Sequence, residues 1–172
     1  MDIGSRVDGF VAHVAAFREI EVLDVRPTAT NVHNISFKTA DLMNIGDEFL
    51  NYCDSLSCLH ALEHFGLGRY NDPVQFDGHL LGLENMHKIL KTGGKFYFSV
   101  PIGKQRIEFN AHKVFSVQYL LSLFEDKFNV DYFSFVDDKG CLHTNIDMSN
   151  TNDINNNFGC HFGCGIFEMT KL

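Results

Sequence analysis

The segment His60-Ala61-Leu62-Glu63-His64-Phe65-Gly66-Leu67-Gly68-Arg69-Tyr70 gathers more reactive side chains than any other stretch of the sequence. Two imidazoles, a carboxylate, a guanidinium and a phenol follow an apolar run, and loops on a rigid scaffold are where binding groups concentrate. Imidazoles exchange protons near neutral pH. His64 is therefore read as a candidate general base with Glu63 orienting it, and His112 of Asn110-Ala111-His112 as a second candidate base. His60 and His64 also have the i, i+4 spacing of a metal pair on a helix. The order is not H-E-x-x-H and no third ligand is evident, so no metal is expected. Tying down the loop is the plainer role for either histidine.

A second set of polar residues falls at the ends of predicted strands: Asp2, Asp24, Asp41, the His60 group and Ser99. Asp24 suits two hydrogen bonds from the hydroxyls of an adenosine ribose. Asp41 suits the exocyclic amine of adenine. Solvated or turn-capping aspartates would look the same locally. Gly4, in Asp2-Ile3-Gly4-Ser5, lets the backbone approach a ligand closely, and Gly9 permits tight packing where a helix begins. The nicotinamide fingerprint G-x-G-x-x-G is missing, because Arg6 stands two positions after Gly4. A nicotinamide-dependent oxidoreductase is disfavoured for that reason. S-adenosylmethionine carries no phosphate and tolerates a turn poorer in glycine.

These residues need a frame. Residues 10–17 read as a helix with Phe10, Val14 and Phe17 on one face and Val11 beside them. Residues 19–25, 35–40 and 55–61 read as strands. A helix is predicted over 76–90 from Phe76, Leu80, Leu83, Met86 and Leu90, with Thr92-Gly93-Gly94 as its cap. A strand over 95–100 closes at Pro101, a helix covers 117–128, and strands follow over 130–136 and 165–170. A polar, asparagine-rich loop lies between 145 and 157. Strands alternating with helices predict a doubly wound, mostly parallel α/β sheet covered on both faces, forming one domain over 1–172. Such sheets bind ligands at the carboxyl ends of their strands, where the acids fall.

Composition bounds the partners. Over 172 residues the formal net charge is −8, with 45% apolar and 21% charged residues. No basic run relieves that charge, so nucleic acid is not expected as a partner. Neither a membrane span nor a signal segment is evident, and the five cysteines have no disulfide spacing. Reduced thiols in the cytoplasm are the expectation. Cys160, His161 and Cys164 lack the second ligand pair of a zinc site.

The series Asp2-x-Gly4, Asp24, Asp41, Leu62-Glu63-His64 and Leu90-Lys91-Thr92-Gly93-Gly94-Lys95 resembles the motif order of class I S-adenosylmethionine-dependent methyltransferases. More narrowly, His60 to Tyr70 with Asp72-Pro73, Ser99-Val100-Pro101-Ile102-Gly103 and Asn110-Ala111-His112 is similar to an uncharacterised family of predicted methyltransferase-like proteins. The resemblance runs to about Val136. It implies a Rossmann-like sheet of seven strands, the last antiparallel, with S-adenosylmethionine as cofactor. Gly4, Asp24 and Asp41 would contact that cofactor, and Asp2 and His60 are grouped with them. The implied acceptor is a small or glycan-related molecule. A non-catalytic cofactor-binding or interaction module is the alternative on the same fold. Arg6 stands where many such enzymes have a second glycine. Only Met1 precedes Asp2, so the first strand is expected to be truncated, leaving its neighbours unpaired.

Overall fold

The computed structural model describes residues 1–70 and 72–172. Its centre is an eight-stranded sheet in the order β3-β2-β1-β4-β5-β10-β8-β9. The first five of these are β1 (Asp2–Ile3), β2 (Ile20–Asp24), β3 (Ile35–Thr39), β4 (Cys53–Leu59) and β5 (Leu90–Ile102). All five run parallel. A short antiparallel pair, β6 (Arg106–Glu108) and β7 (His112–Val114), stands apart as its own sheet. Then come β8 (Phe128–Val136), β9 (Leu142–His143) and β10 (Gly163–Lys171). β10 inserts between β5 and β8, antiparallel to both. The expected parallel sheet with a reversed last strand is thus present. The eighth strand is the two-residue β9 at the edge.

Strand β1 pairs with Val22 and Leu23 on one side and with Ser57 and Cys58 on the other. The central position is therefore filled at its carboxyl end. The Met1 ammonium donates to Ser55 O at 3.0 Å, and Met1 O accepts from Ser57 N at 3.0 Å. Beyond that point β2 and β4 flank a groove lined by Ile20, Cys53 and Ser55.

Among the described residues four α-helices complete the fold: α1 (Gly9–Ala15), α2 (Gly78–Ile89), α3 (Val117–Phe124) and α4 (Thr151–Asn155). Asp8 and Ser116 cap α1 and α3 by accepting from Val11 N and Tyr119 N. The main core joins Leu83 and Met86 of α2 and Leu120 and Phe124 of α3 to Phe98 of β5 and Phe167 of β10. Phe124 and Phe167 meet edge to face at 5.3 Å, and Phe133 packs on Phe167 at 4.7 Å. A smaller cluster of Val11, Ala15, Ile20, Val22 and Ile35 seats α1 on the other side of the sheet.

Four sequence expectations differ from the structure. The buried stripe of α1 is Val11 and Ala15, an i, i+4 pair facing the sheet. Phe10 is exposed and Phe17, beyond the Ala16 cap, more so. Helix α2 starts after Phe76 and ends at Ile89, so Phe76 lies in solvent and Thr92-Gly93-Gly94 belongs to β5. There the β4–β5 register shifts between Cys53 and Ser55, and Gly93 takes a φ of 76°, the conformation of a bulge glycine. Helix α3 is shorter than predicted because Phe128 enters β8. Inside the asparagine-rich loop, Thr151–Asn155 forms α4 with Asn150 as its cap.

Candidate active site

Two cavities meet at the carboxyl ends of the parallel strands and share His60 and His64 as a common wall. The smaller holds about 80 Å³ and is bounded by Gly4, Asp24, Arg26, Asp41 and Tyr70. The larger holds about 250 Å³ and is bounded by Glu63, His112, Phe162 and Cys164.

In the smaller cavity the turn after β1 approaches the loop after β4 very closely. Gly4 has a φ of 80°, and a Cβ there would lie 2.9 Å from the Cβ of Ala61. Arg6 also takes a left-handed conformation, with φ 55°, where the resemblance places a second glycine. Asp24 ends β2, almost fully buried, as expected. Its carboxylate is already engaged, however. Oδ1 accepts from Arg26 N and Nε, both at 2.8 Å, and Oδ2 accepts from Nη2 at 2.7 Å. A carboxylate has about four acceptor positions, so a ribose would find too few until Arg26 moves. The Arg26 guanidinium also lies over the Tyr70 ring at 4.4 Å. Asp41 lines the cavity beyond β3 and uses Oδ1 to accept from Met43 N at 2.9 Å.

Asp2 departs from the expected cofactor contact. It lies wholly buried inside β1, outside both linings. It accepts from Ser57 Oγ at 2.6 Å and from Ser5 N at 3.2 Å, so it holds the glycine turn from behind. Burial raises its carboxyl above the usual range, partly offset by the hydroxyl of Ser57.

The common wall is built by the turn after β4. His60 sits at φ 53° with its N–H donating to Ser99 O at 2.9 Å, which is how Ser99, itself buried, serves the site. A 3-10 turn, Leu62–His64, then buries Glu63. Glu63 Oε1 lies 3.2 Å from His60 Nδ1 and 3.8 Å from His64 Nε2. His64 Nδ1 donates to Ala111 O at 2.7 Å, a carbonyl that also accepts from Arg69 at 3.2 Å. That bond fixes the proton of neutral His64 on Nδ1 and leaves Nε2 as the basic nitrogen. Buried Lys113 donates to Phe65 O and ties β7 to the same turn. His60 Nε2 contacts Cys164 Sγ at 3.1 Å. Hydrogen bonds to Cys164 and then Glu63 push His60 up to about 10. His112 lines the larger cavity, packs on Phe162 at 5.1 Å, and its buried Nε2 lies 3.5 Å from Glu108 Oε2 with no hydrogen-bond partner among the described residues.

Of the residues singled out in the sequence, Gly4, Asp24, Asp41, His60, Glu63, His64 and His112 reach the two cavities. Asp2, Ser99 and Asn110 do not line them. Arg26, Phe162 and the placement of Cys164 were not foreseen. The Cys160-His161-x-x-Cys164 cluster was the available signal for the last two. Among the described residues, no group of three or more His, Cys, Asp or Glu side chains is arranged to hold a metal ion.

Solved structures share this architecture at low identity. The [4+2]-cyclase SpnF is 12% identical, with a TM-score of 0.65 over 99% of this chain and 74% of its own. The N-methyltransferase NodS from Bradyrhizobium japonicum, solved with S-adenosylhomocysteine, is 13% identical with a TM-score of 0.63 over 99% and 76%. The 1,6-didemethyltoxoflavin N1-methyltransferase of Burkholderia thailandensis is 14% identical with a TM-score of 0.66 over 99% and 69%. The fold is that of the class I methyltransferases. No curated protein matches the sequence. Residues 14–157 match the family described as Caenorhabditis protein of unknown function, DUF268, and the chain belongs to that family.

Proposed function

We propose that the chain is an S-adenosylmethionine-dependent methyltransferase whose cofactor binds in the smaller cavity and whose acceptor, a small or glycan-related molecule, binds in the larger. The shared wall of His60 and His64 carries this reading, because it sets two cavities side by side at the strand ends where such sheets hold ligands. The donor set fits the cofactor. Gly4 leaves backbone room for its amino acid end, Asp24 suits the ribose and Asp41 the adenine amine. The cavity must widen, since about 80 Å³ is well below the roughly 300 Å³ at which ligand pockets begin. Release of Arg26 from Asp24 and Tyr70 is the available movement.

S-adenosylmethionine, when bound, supplies an electrophilic methyl group on sulfur. His64 Nε2 takes the proton of an acceptor hydroxyl or amine. Glu63, close to that nitrogen, stabilises the imidazolium that results. His112 is the alternative base. Closing the site aligns donor and acceptor and excludes water. A cytoplasmic site of action is supported by five free cysteines. No helix among the described residues is long and apolar enough to cross a membrane.

Calorimetry with S-adenosylmethionine, S-adenosylhomocysteine and NAD tests the reading. Binding of the first two and not the third is expected; binding of NAD alone, or of none, overturns it. One observation favours a second reading, a non-catalytic module: Arg26 already fills Asp24. A chain that binds S-adenosylhomocysteine but transfers no methyl group across a broad acceptor screen would fit that reading.

A further inference from the structure

We propose that Cys164, His60 and Glu63 form a second reactive centre, in which the Cys164 thiol adds to electron-poor carbon–carbon double bonds entering the larger cavity. The proposal does not depend on methyl transfer.

The three side chains form a continuous chain of contacts. Cys164 Sγ is 3.1 Å from His60 Nε2, and His60 Nδ1 is 3.2 Å from Glu63 Oε1. This is the order that activates a nucleophile: a sulfur, a base beside it, and a third group orienting the base. Glu63 is 2% exposed, and its second oxygen is buried without a hydrogen-bond partner among the described residues. A buried carboxylate left half unpaired costs free energy unless it serves a neighbouring positive charge. His60 is that neighbour, and its contacts with Cys164 and Glu63 favour the imidazolium that forms when it takes the thiol proton. The imidazole is held there by a left-handed backbone, a conformation that side-chain-bearing residues rarely adopt.

Sulfur is also accessible. Cys164 is half-buried and lines the cavity of about 250 Å³, opposite His112 and Phe162. The remaining thiols differ: Cys58 and Cys160 are buried, Cys53 is half-buried, and Cys141 is exposed. Among the described residues only Cys164 has an imidazole at its sulfur. It reaches that imidazole from 104 positions away, because β10 runs beside β5 with Cys164 opposite Pro101.

The chemistry balances without any further reagent. His60 Nε2, with Nδ1–H held by Glu63, first takes the thiol proton; sulfur then bonds to the outer carbon of the double bond, and the π pair moves to the carbon beside the activating group. His60 Nε2–H gives its proton to that carbon. The proton originally shared with the thiol has thereby crossed to the product, so S and H add across the double bond. Glu63 holds the imidazole in place throughout. Nothing is oxidised and nothing leaves.

Acrylamide, a small conjugated amide, is the probe. The full chain is exposed to it at neutral pH, and modification of each cysteine is followed by peptide mass mapping. Cys164 is expected to react at least tenfold faster than the more exposed Cys141. His60→Gln should bring Cys164 down to the Cys141 rate or below, and Glu63→Gln should slow it severalfold, with Cys141 unchanged in both. Equal rates in the natural chain, or a Cys164 rate unmoved by His60→Gln, would overturn the proposal. Buried Cys58 reports folding: a variant in which it reacts has unfolded, and the ratio in the natural chain then decides.

Discussion

The two cavities are neighbours, yet they are built in opposite ways. The smaller one is local: the turn after β1, the end of β2, the end of β3 and the turn after β4 all lie within the first 72 residues. It is closed by a clamp between Arg26, Asp24 and Tyr70. The larger one joins the turn after β4 to Pro101, His112 and residues 136, 137 and 162–164. Under the proposed function, the smaller cavity would bind by rearranging its charged latch, and the larger would present imidazoles and one thiol to the acceptor. Cofactor selectivity and acceptor reactivity would then draw on different segments that meet at the shared wall of His60 and His64.

The comparison can be broken most sharply at the common wall. His64→Ala should lower methyl transfer by about 100-fold or more, the range of a lost general base, and leave S-adenosylhomocysteine affinity within a factor of a few. Transfer is read as S-adenosylhomocysteine release, affinity by calorimetry. Equal losses in both would move His64 to the cofactor side. On that side, Gly4→Val should weaken S-adenosylhomocysteine binding more than tenfold, since a Cβ meets Ala61 and the φ of 80° disfavours a side chain. Acrylamide labelling of Cys164 should persist in that variant.

A smaller effect concerns acid. His79 on α2 packs against Phe115, bonded through Nε2 to Tyr119 at 2.8 Å, and burial lowers it from 6.5 to about 4. Its folded value is depressed, so its contribution is complete above pH 6.5 and is lost as pH falls toward 4. That loss amounts to at most about 3 kcal/mol. Thermal melts from pH 7 to 4 should fall less steeply in His79→Gln than in the natural chain. Parallel slopes would show that His79 is not the acid-sensitive support. The smallest change is expected from Arg26→Ala. Freed from its partner, Asp24 should bind S-adenosylhomocysteine a fewfold more tightly, whereas Asp24→Ala should weaken it about tenfold. Weaker binding in Arg26→Ala would make Arg26 a cofactor ligand and not a latch.

The local cavity was the legible one. Asp24 and Asp41 stand at strand ends that can be read from hydrophobic patterning, and Gly4 from its turn. What patterning did not reveal was that Arg26, two residues after Asp24, folds back onto it. A pair so close in sequence looks like an ordinary turn. Asp2 reads as a strand-end acid free to face a ligand, whereas its carboxylate turns inward to Ser57 and Ser5. The larger cavity was half legible. Glu63, His64 and His112 cluster in recognisable segments, but Phe162 and Cys164 arrive through the antiparallel insertion of β10, and no periodicity encodes which strand it joins. Phe10 and Phe17 illustrate a different limit. Aromatic size suggested burial, whereas the sheet selected the smaller Val11 and Ala15 for contact with α1.

The insertion of β10 also sets an order in time. A chain made from its amino end completes the wall around Asp24 and Asp41 long before residue 164 exists. The contacts that join β10 to β5 span the longest separations in the sheet, as between Thr170 and Lys95, and distant pairings of this kind form slowly. The smaller cavity is therefore drafted early, while the thiol and its imidazole meet only when the last strand slides into place.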